Sequence, residues 1–274
     1  MNRTVTDLRK LRFVFPEFAT LALIAAFFCL PEVGLVRGYA DKPAADKPAA
    51  EPSALNSKKK SEATKNADGQ WTPLNGKWEI SQFGGDGEIE VKENSIKMEF
   101  GDPLTGLHWT GDLLRENFEI ELEAKRVEGL DFFCGLTFPV GKAHVTLVLG
   151  GWGGGVLGIS SIDGRDASEN ETTMYRSFDN GKWYKVRVRV DEYQIQCWID
   201  DKILVEQERE GHEFDIRYEM DLTVPMGLSA FQCDAEYRNM RMRKLTKAEI
   251  AAAKKLASKE KEDGKMESKG VDQK

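Results

Sequence analysis

The sequence predicts an all-β domain built as a sandwich of two antiparallel sheets. Three observations carry this. Over Trp183–Val190, apolar Val186, Val188 and Val190 alternate with basic Lys185, Arg187 and Arg189, and the alternation resumes over Gln194–Ile199 after an Asp191-Glu192 turn. Period-two alternation on both sides of a tight turn is the mark of a half-buried antiparallel hairpin. Many further short strand patterns, several punctuated by Gly84-Gly85, Glu93-Asn94 and Asn180-Gly181, fill the chain from Trp71 to Leu245. No long helical periodicity interrupts them, and the length suits two stacked sheets.

Residues 1–40 read as a secretory signal peptide. Arg3, Arg9, Lys10 and Arg12 precede an apolar run from Phe13 to Leu30, and Gly38-Tyr39-Ala40 offers small residues where a signal peptidase reads. Pro16 and Glu17 interrupt the run and leave it short for a membrane span. Phe27 and Phe28 before Cys29 disfavour lipoprotein processing. The expectation is an exported, periplasmic or extracellular protein with no stable membrane span once the leader is cut. Residues 41–70 open with the repeat Asp41-Lys42-Pro43-Ala44-Ala45, Asp46-Lys47-Pro48-Ala49-Ala50. Pro and charge without large apolar residues predict a disordered linker.

Within residues 71–245 the predicted strands are Trp78–Gln82, Glu88–Lys92, Ser95–Glu99, Leu107–Trp109, Phe118–Arg126, Phe132–Phe138, Ala143–Leu149, Val156–Ser160, Trp183–Val190, Gln194–Ile199, Ile203–Glu208, Met226–Phe231 and Ala235–Lys244. Residues 246–274 form a charged tail. Thr246-Lys247-Ala248-Glu249 is a capping-box pattern that predicts a short helix to about Lys259. Its thin apolar stripe of Ile250, Ala253 and Leu256 predicts a solvated tail.

The net charge of −7 argues against nucleic acid as a partner. Past the leader the chain carries Cys134, Cys197 and Cys233, each in or beside an apolar strand. An odd count excludes a disulfide scaffold, and buried core thiols are the simpler reading. Without a Cys-x-x-Cys pair, and with the histidines scattered, no structural zinc site is expected. No Gly-x-Ser-x-Gly elbow occurs.

Phe118-Glu119-Ile120-Glu121-Leu122-Glu123, Gly181-Lys182-Trp183-Tyr184, Gln194–Asp201, Pro225-Met226-Gly227-Leu228 and Tyr237–Met242 follow one another in an order that resembles the 3-keto-disaccharide hydrolase family. The resemblance covers most of Trp71–Leu245. It implies a concanavalin A-like jelly roll, shared with laminin-G modules, and a glycoside hydrolase-like activity on a 3-keto sugar by proton abstraction, elimination and hydration. Carbohydrate is then the expected partner. Enzymes of this kind tend to carry a carboxylate in the strand after Phe132–Phe138. Here that strand, Ala143–Val148, offers His144 and Thr146 instead.

Several groups are candidates for the chemistry. His144 faces away from the main core by alternation and titrates near neutrality, which suits a base; a plain surface histidine is the competing reading. The polar loop Ser161–Thr173 carries Asp163, Arg165, Asp166, Glu169 and Glu171. Glu171 is a second candidate base, Asp163 or Asp166 an acid or ligand of a divalent metal such as calcium, and Arg165 an electrostatic stabiliser. A merely solvated acidic loop is equally open. Trp152, set between glycines at Gly150–Gly155, reads either as an open sugar platform or as an indole folded against the sandwich. The same segment holds a formal Gly-x-Gly-x-x-Gly, but no βαβ unit surrounds it. Trp198 and Gln196, on the polar side of their strand, are candidates to line one sugar-binding face with His144. Glu119, Glu121 and Glu123 alternate like the acidic strand of a retaining glycosidase. They equally suit pairing with Lys185, Arg187 and Arg189 if those strands are neighbours. A non-catalytic module that binds polysaccharide or protein is the alternative function.

Overall fold

The computed structural model describes residues 68–271, with the side chains of the last helix as far as Lys259. The predicted leader and nearly all of the predicted linker lie outside the described residues. Fifteen strands are described: β1 (Trp71–Pro73), β2 (Trp78–Ile80), β3 (Ile89–Lys92), β4 (Ser95–Met98), β5 (Leu104–Trp109), β6 (Phe118–Gly129), β7 (Cys134–Val140), β8 (Ala143–Gly150), β9 (Val156–Ser160), β10 (Met174–Tyr175), β11 (Trp183–Val190), β12 (Gln194–Ile199), β13 (Lys202–Glu208), β14 (Gly227–Phe231) and β15 (Cys233–Lys244). One helix, α1, spans Lys247–Val271.

Two antiparallel sheets stack as the alternation predicts. The eight-stranded sheet runs β13-β12-β11-β6-β15-β4-β3, with β1 paired to β15. The seven-stranded sheet runs β10-β9-β8-β7-β14-β5-β2. Between them lie Phe118, Ile120 and Leu122 of β6 and Val186, Val188 and Val190 of β11. They meet Leu136 and Phe138 of β7 and Val145, Leu147 and Leu149 of β8. Burial of this kind is worth about 1.5–3 kcal/mol per large apolar side chain. Two tyrosines in the core keep their hydroxyls satisfied, as buried phenols must. Tyr237 donates to the Phe133 carbonyl at 2.7 Å, and the Asp179 amide donates to Tyr184 at 2.7 Å.

The outer face of the eight-stranded sheet decides the question of the glutamate row. β6 lies between β11 and β15, so Glu119 stands opposite Arg189 and Arg243, Glu121 opposite Arg187 and Arg241, and Glu123 opposite Lys185 and Arg238. The row is an acidic stripe between two basic stripes. Glu119 is 1 % exposed and takes Arg189 at 2.6 Å and Arg243 at 2.5 Å. The pairing reading holds, and the stripe is not a glycosidase pair.

The three core cysteines are free and buried. Burial raises the thiol pKa of Cys134 and Cys197, and raises that of Cys233 to about 12.

Differences from the sequence reading cluster where period is too short to see. β1 and β10 are three and two residues long and were not predicted. A 3-10 turn over Tyr218–Thr223 was not predicted either. α1 runs beyond Lys259, and its start is clamped rather than solvated. The capping box forms, with Thr246 donating from its amide to Glu249 at 2.8 Å and the Glu249 amide donating to Thr246 Oγ1 at 3.2 Å. Glu249 also accepts from Arg189 at 3.2 Å and Arg243 at 2.7 Å, which ties the helix to the charged stripe.

Candidate functional site

The seven-stranded sheet is buried on both faces at its middle: every residue of β7 is buried. The 3-10 turn causes this by lying across the outer face. Thr223 donates to the Met220 carbonyl at 2.6 Å, so Thr137 must donate to Thr223 at 2.7 Å and Thr146 to Thr137 at 2.9 Å. Beside this covered strip opens a cleft of about 390 Å³. Phe132, Val148, Met220 and Phe231 give it an apolar lining; Thr146, Ser160, Asp131, Arg217 and Glu219 add polar groups, and Trp152 also lines it.

Trp152 is displayed by its own local sequence. Gly150, Gly153 and Gly154 take φ of 78°, 81° and 102°, and Trp152 itself sits at φ 50°, a left-handed conformation that glycine adopts freely and tryptophan does not. A Cβ on Gly154 would lie 2.5 Å from the Leu130 carbonyl oxygen. Asp131 braces the turn, accepting the Phe132 amide at 2.7 Å and the Gly153 amide at 2.9 Å. The indole stays 46 % exposed. The indole stands open at the cleft and is not folded against the sandwich.

Arg217 anchors the polar side. It donates to Asp166 at 2.6 Å and to Glu219 at 2.8 Å. The Arg217 guanidinium holds the Glu219 carboxyl below the usual carboxylate range, and Glu219 in turn raises Arg217. Ser160 is 2 % exposed, and its Oγ has no hydrogen-bond partner among the described residues.

The other candidates disperse. His144 lies on the outward row of β8 with Thr146 between it and Val148, and it does not line the cleft. Its Nε2 accepts from Arg115 at 3.1 Å; burial, and then the Arg115 charge, lower its pKa. Trp198 and Gln196 belong to β12, in the other sheet. The shared face with His144 is therefore corrected: alternation put each on an outward side, but of opposite layers. Arg187 lies 4.1 Å over the Trp198 ring, and Gln196 donates to Glu206 at 3.1 Å.

The loop Ser161–Thr173 is knit rather than loose. Buried Asn170 donates to the Ile159 and Asp166 carbonyls at 2.8 Å each and accepts from Thr172 Oγ1 at 2.6 Å. The loop's charged groups diverge. Asp166 turns to Arg217; Arg165 is exposed, and its backbone closes a turn with Ile162. Asp163 and Glu171 meet His212, at 2.7 and 3.5 Å from its Nδ1. The Glu213 amide, and then His212, lower the Asp163 pKa. One ligand atom from each of Asp163, Glu171 and His212 falls within 4.8 Å of the others. Two carboxylate oxygens and an imidazole nitrogen form a donor set that fits a divalent cation. The sequence reading named two of these three. It missed His212, along with Arg217, Glu219, Asp131 and Ser160, because the segment from Arg209 to Pro225 carries no period and the others lie on unremarkable strand ends.

The domain is thus a jelly-roll sandwich with an aromatic residue exposed at a cleft on one outer face. The chain belongs to the family described as the 3-keto-alpha-glucoside-1,2-lyase-like domain, which matches residues 62–243. No curated relative matches the sequence. Among solved structures, a protein of unknown function with a galectin-like fold from Bacillus subtilis is similar, with 10 % identity and a TM-score of 0.43. The match covers 66 % of this chain and 97 % of that one. The carbohydrate binding module CBM66 from Bacillus subtilis is similar with 13 % identity and a TM-score of 0.37, over 63 % of this chain and 94 % of that one.

Proposed function

We propose that the chain acts on carbohydrate in the cleft of the seven-stranded sheet, as a glycoside hydrolase-like protein that cleaves a 3-keto glycoside by elimination and hydration. The observation that carries this is the meeting, in one cleft, of an exposed indole with a guanidinium and an ionised carboxylate. Trp152 stacks on the sugar ring. A 3-keto group acidifies the hydrogen at C2. Glu219, ionised at neutral pH, takes that proton, and the C–H electron pair moves toward the keto oxygen. Arg217 offsets the charge that develops there, the role the sequence suggested for Arg165. The C1–O bond then breaks, the leaving oxygen takes up a proton, and water adds back at C1 as the proton returns to C2. Asp166 steadies Arg217 from behind. His144, Glu171, Asp163 and Arg165 do not line the cleft and receive no step in this scheme. Asp163, Glu171 and His212 are where a divalent cation would be held.

Export through residues 1–40 is part of the proposal, and the N-terminal mass of the secreted protein tests it. For the activity, the mature protein is incubated with 3-keto-glucosides, with and without divalent metal. Sugar release that Glu219→Gln abolishes supports the scheme. A second reading has its own support. Arg217 is already engaged by both Asp166 and Glu219, and a Glu219 carboxylate held ionised by that pairing is a weak base, which favours binding over proton abstraction. Saturable binding with no release of sugar would establish that non-catalytic module instead.

A further inference from the structure

We propose that Ser160 is the residue of the cleft that reads a ligand hydroxyl, a role that rests on the cleft being the carbohydrate site. Ser160 closes β9 and stands opposite Thr146 on β8. The two hydroxyls share a lining but differ in state. Thr146 ends a chain of hydroxyls running through Thr137 to Thr223. Ser160 Oγ is buried with no partner among the described residues. The neighbouring Ser161, by contrast, donates to the Arg165 carbonyl at 3.1 Å, so this part of the chain does satisfy a serine where it can.

A buried hydroxyl without a partner is destabilising, and native proteins rarely keep one without a use. Around Ser160 the cleft is lined by Phe132, Val148 and Met220, which offer a ligand shape but few hydrogen bonds. A serine hydroxyl donates and accepts, as a sugar hydroxyl does. No hydrogen bond holds Oγ in place, so turning it toward a ligand about χ1 breaks none. The class of ligand follows. It is a neutral pyranose, or its keto derivative, that lays an apolar face on Trp152 and presents one hydroxyl to Ser160. An analogue that lacks that hydroxyl should bind about five- to tenfold more weakly, because Oγ, already buried without a partner, then gains none.

The test is calorimetric binding of methyl 3-keto-α-glucoside, and of its singly deoxygenated analogues, to the full mature chain and its Ser160→Ala and Trp152→Ala variants. Ser160→Ala is expected to weaken binding about five- to tenfold, the scale of one neutral hydrogen bond. Its melting temperature should hold or rise, since an unsatisfied group is removed. One deoxy analogue should bind parent and Ser160→Ala equally. Parent-like affinity in Ser160→Ala, with binding lost in Trp152→Ala, overturns the role of Ser160 and leaves the cleft standing. Affinity unchanged in both variants removes the cleft as the sugar site. If Ser160→Ala folds poorly, Ser160→Cys replaces it: a near-isosteric weak donor should show the same loss, and full affinity there overturns the proposal.

Discussion

Replacing Glu119 by Gln tests whether the acidic row is structural. The carboxylate is 1 % exposed and neutralises two guanidiniums, Arg189 through one oxygen and Arg243 through the other. Glutamine keeps the shape but removes the charge and leaves both arginines with Glu249 alone in place of two anions. Breaking a buried ion pair by removing one partner costs about 3–5 kcal/mol. In a domain of this size each kcal/mol moves the midpoint by about 2–4 °C, so the variant should melt roughly 6–20 °C lower. Urea unfolding followed by tryptophan fluorescence measures the change, with an unchanged m-value as the check that both states keep their surface. A quadruple replacement, Glu119→Leu with Arg189→Met, Arg243→Met and Glu249→Gln, should recover much of the loss, because the buried carboxylate goes together with both of its main partners and the helix carboxylate they share. Sugar release per folded molecule should not change in either variant. A Glu119→Gln loss below about 1 kcal/mol, or a turnover defect larger than its loss of folded protein, would refute the structural assignment.

Other outcomes follow from the same geometry. Gly154→Ala puts a Cβ against the Leu130 carbonyl at positive φ, so it should lower stability by about 1–3 kcal/mol and weaken sugar binding by displacing Trp152; equal affinity in a folded variant would show that the turn does not present the indole. Asp131→Ala removes the brace on Gly153 and should weaken binding with little loss of stability, while a nitroxide quencher should reach Trp152 more readily. The Glu249 pKa is pushed down to about 2 from an ordinary 4.5, chiefly by the Arg243 hydrogen bond. A depressed carboxylate stabilises fully above its ordinary value and loses that effect as pH falls through the depressed one. Amide protection at the start of α1, relative to the unfolded chain at the same pH, should therefore fall between about pH 4.5 and 2, and Glu249→Gln should show low protection throughout that range. With the thiol pKa values raised by burial, Cys134, Cys197 and Cys233 should resist Ellman's reagent until the protein is unfolded in urea.

Period two was enough to place the fold. It fixed the span of β11 and β12 to the residue, because side chains there alternate cleanly between buried and half-buried positions; the equally well placed β9 is buried along its whole length. It also offered the pairing of the Glu119, Glu121 and Glu123 row with the Lys185, Arg187 and Arg189 row, on the condition that the two strands are neighbours, which they are. Alternation says which side of a strand a residue takes, however, and not which layer the strand joins. His144 and Trp198 were each correctly turned outward and wrongly joined on one face for that reason. Trp152 was legible because the five glycines around it advertise an unusual backbone. Arg217, Glu219 and His212 were not, because they sit in an aperiodic crossing whose course is set by Met220 and Thr223 packing on a distant sheet. The loop's own carboxylates looked like a single cluster in the sequence, and the Asn170 knot sends them to two different places.

Glu119 and Glu249 draw on the same pair of arginines, one from the middle of the sheet and one from the first turn of the helix. The terminal helix is thereby wired to a carboxylate at the middle of the sheet that is almost wholly buried. A truncation before Glu249 would do more than shed a tail. It would leave Arg189 and Arg243 with one anion where they had two, and a tag fused close behind the capping box would press on the same junction. A shortened chain for crystallography or display is best cut well downstream of Ile250.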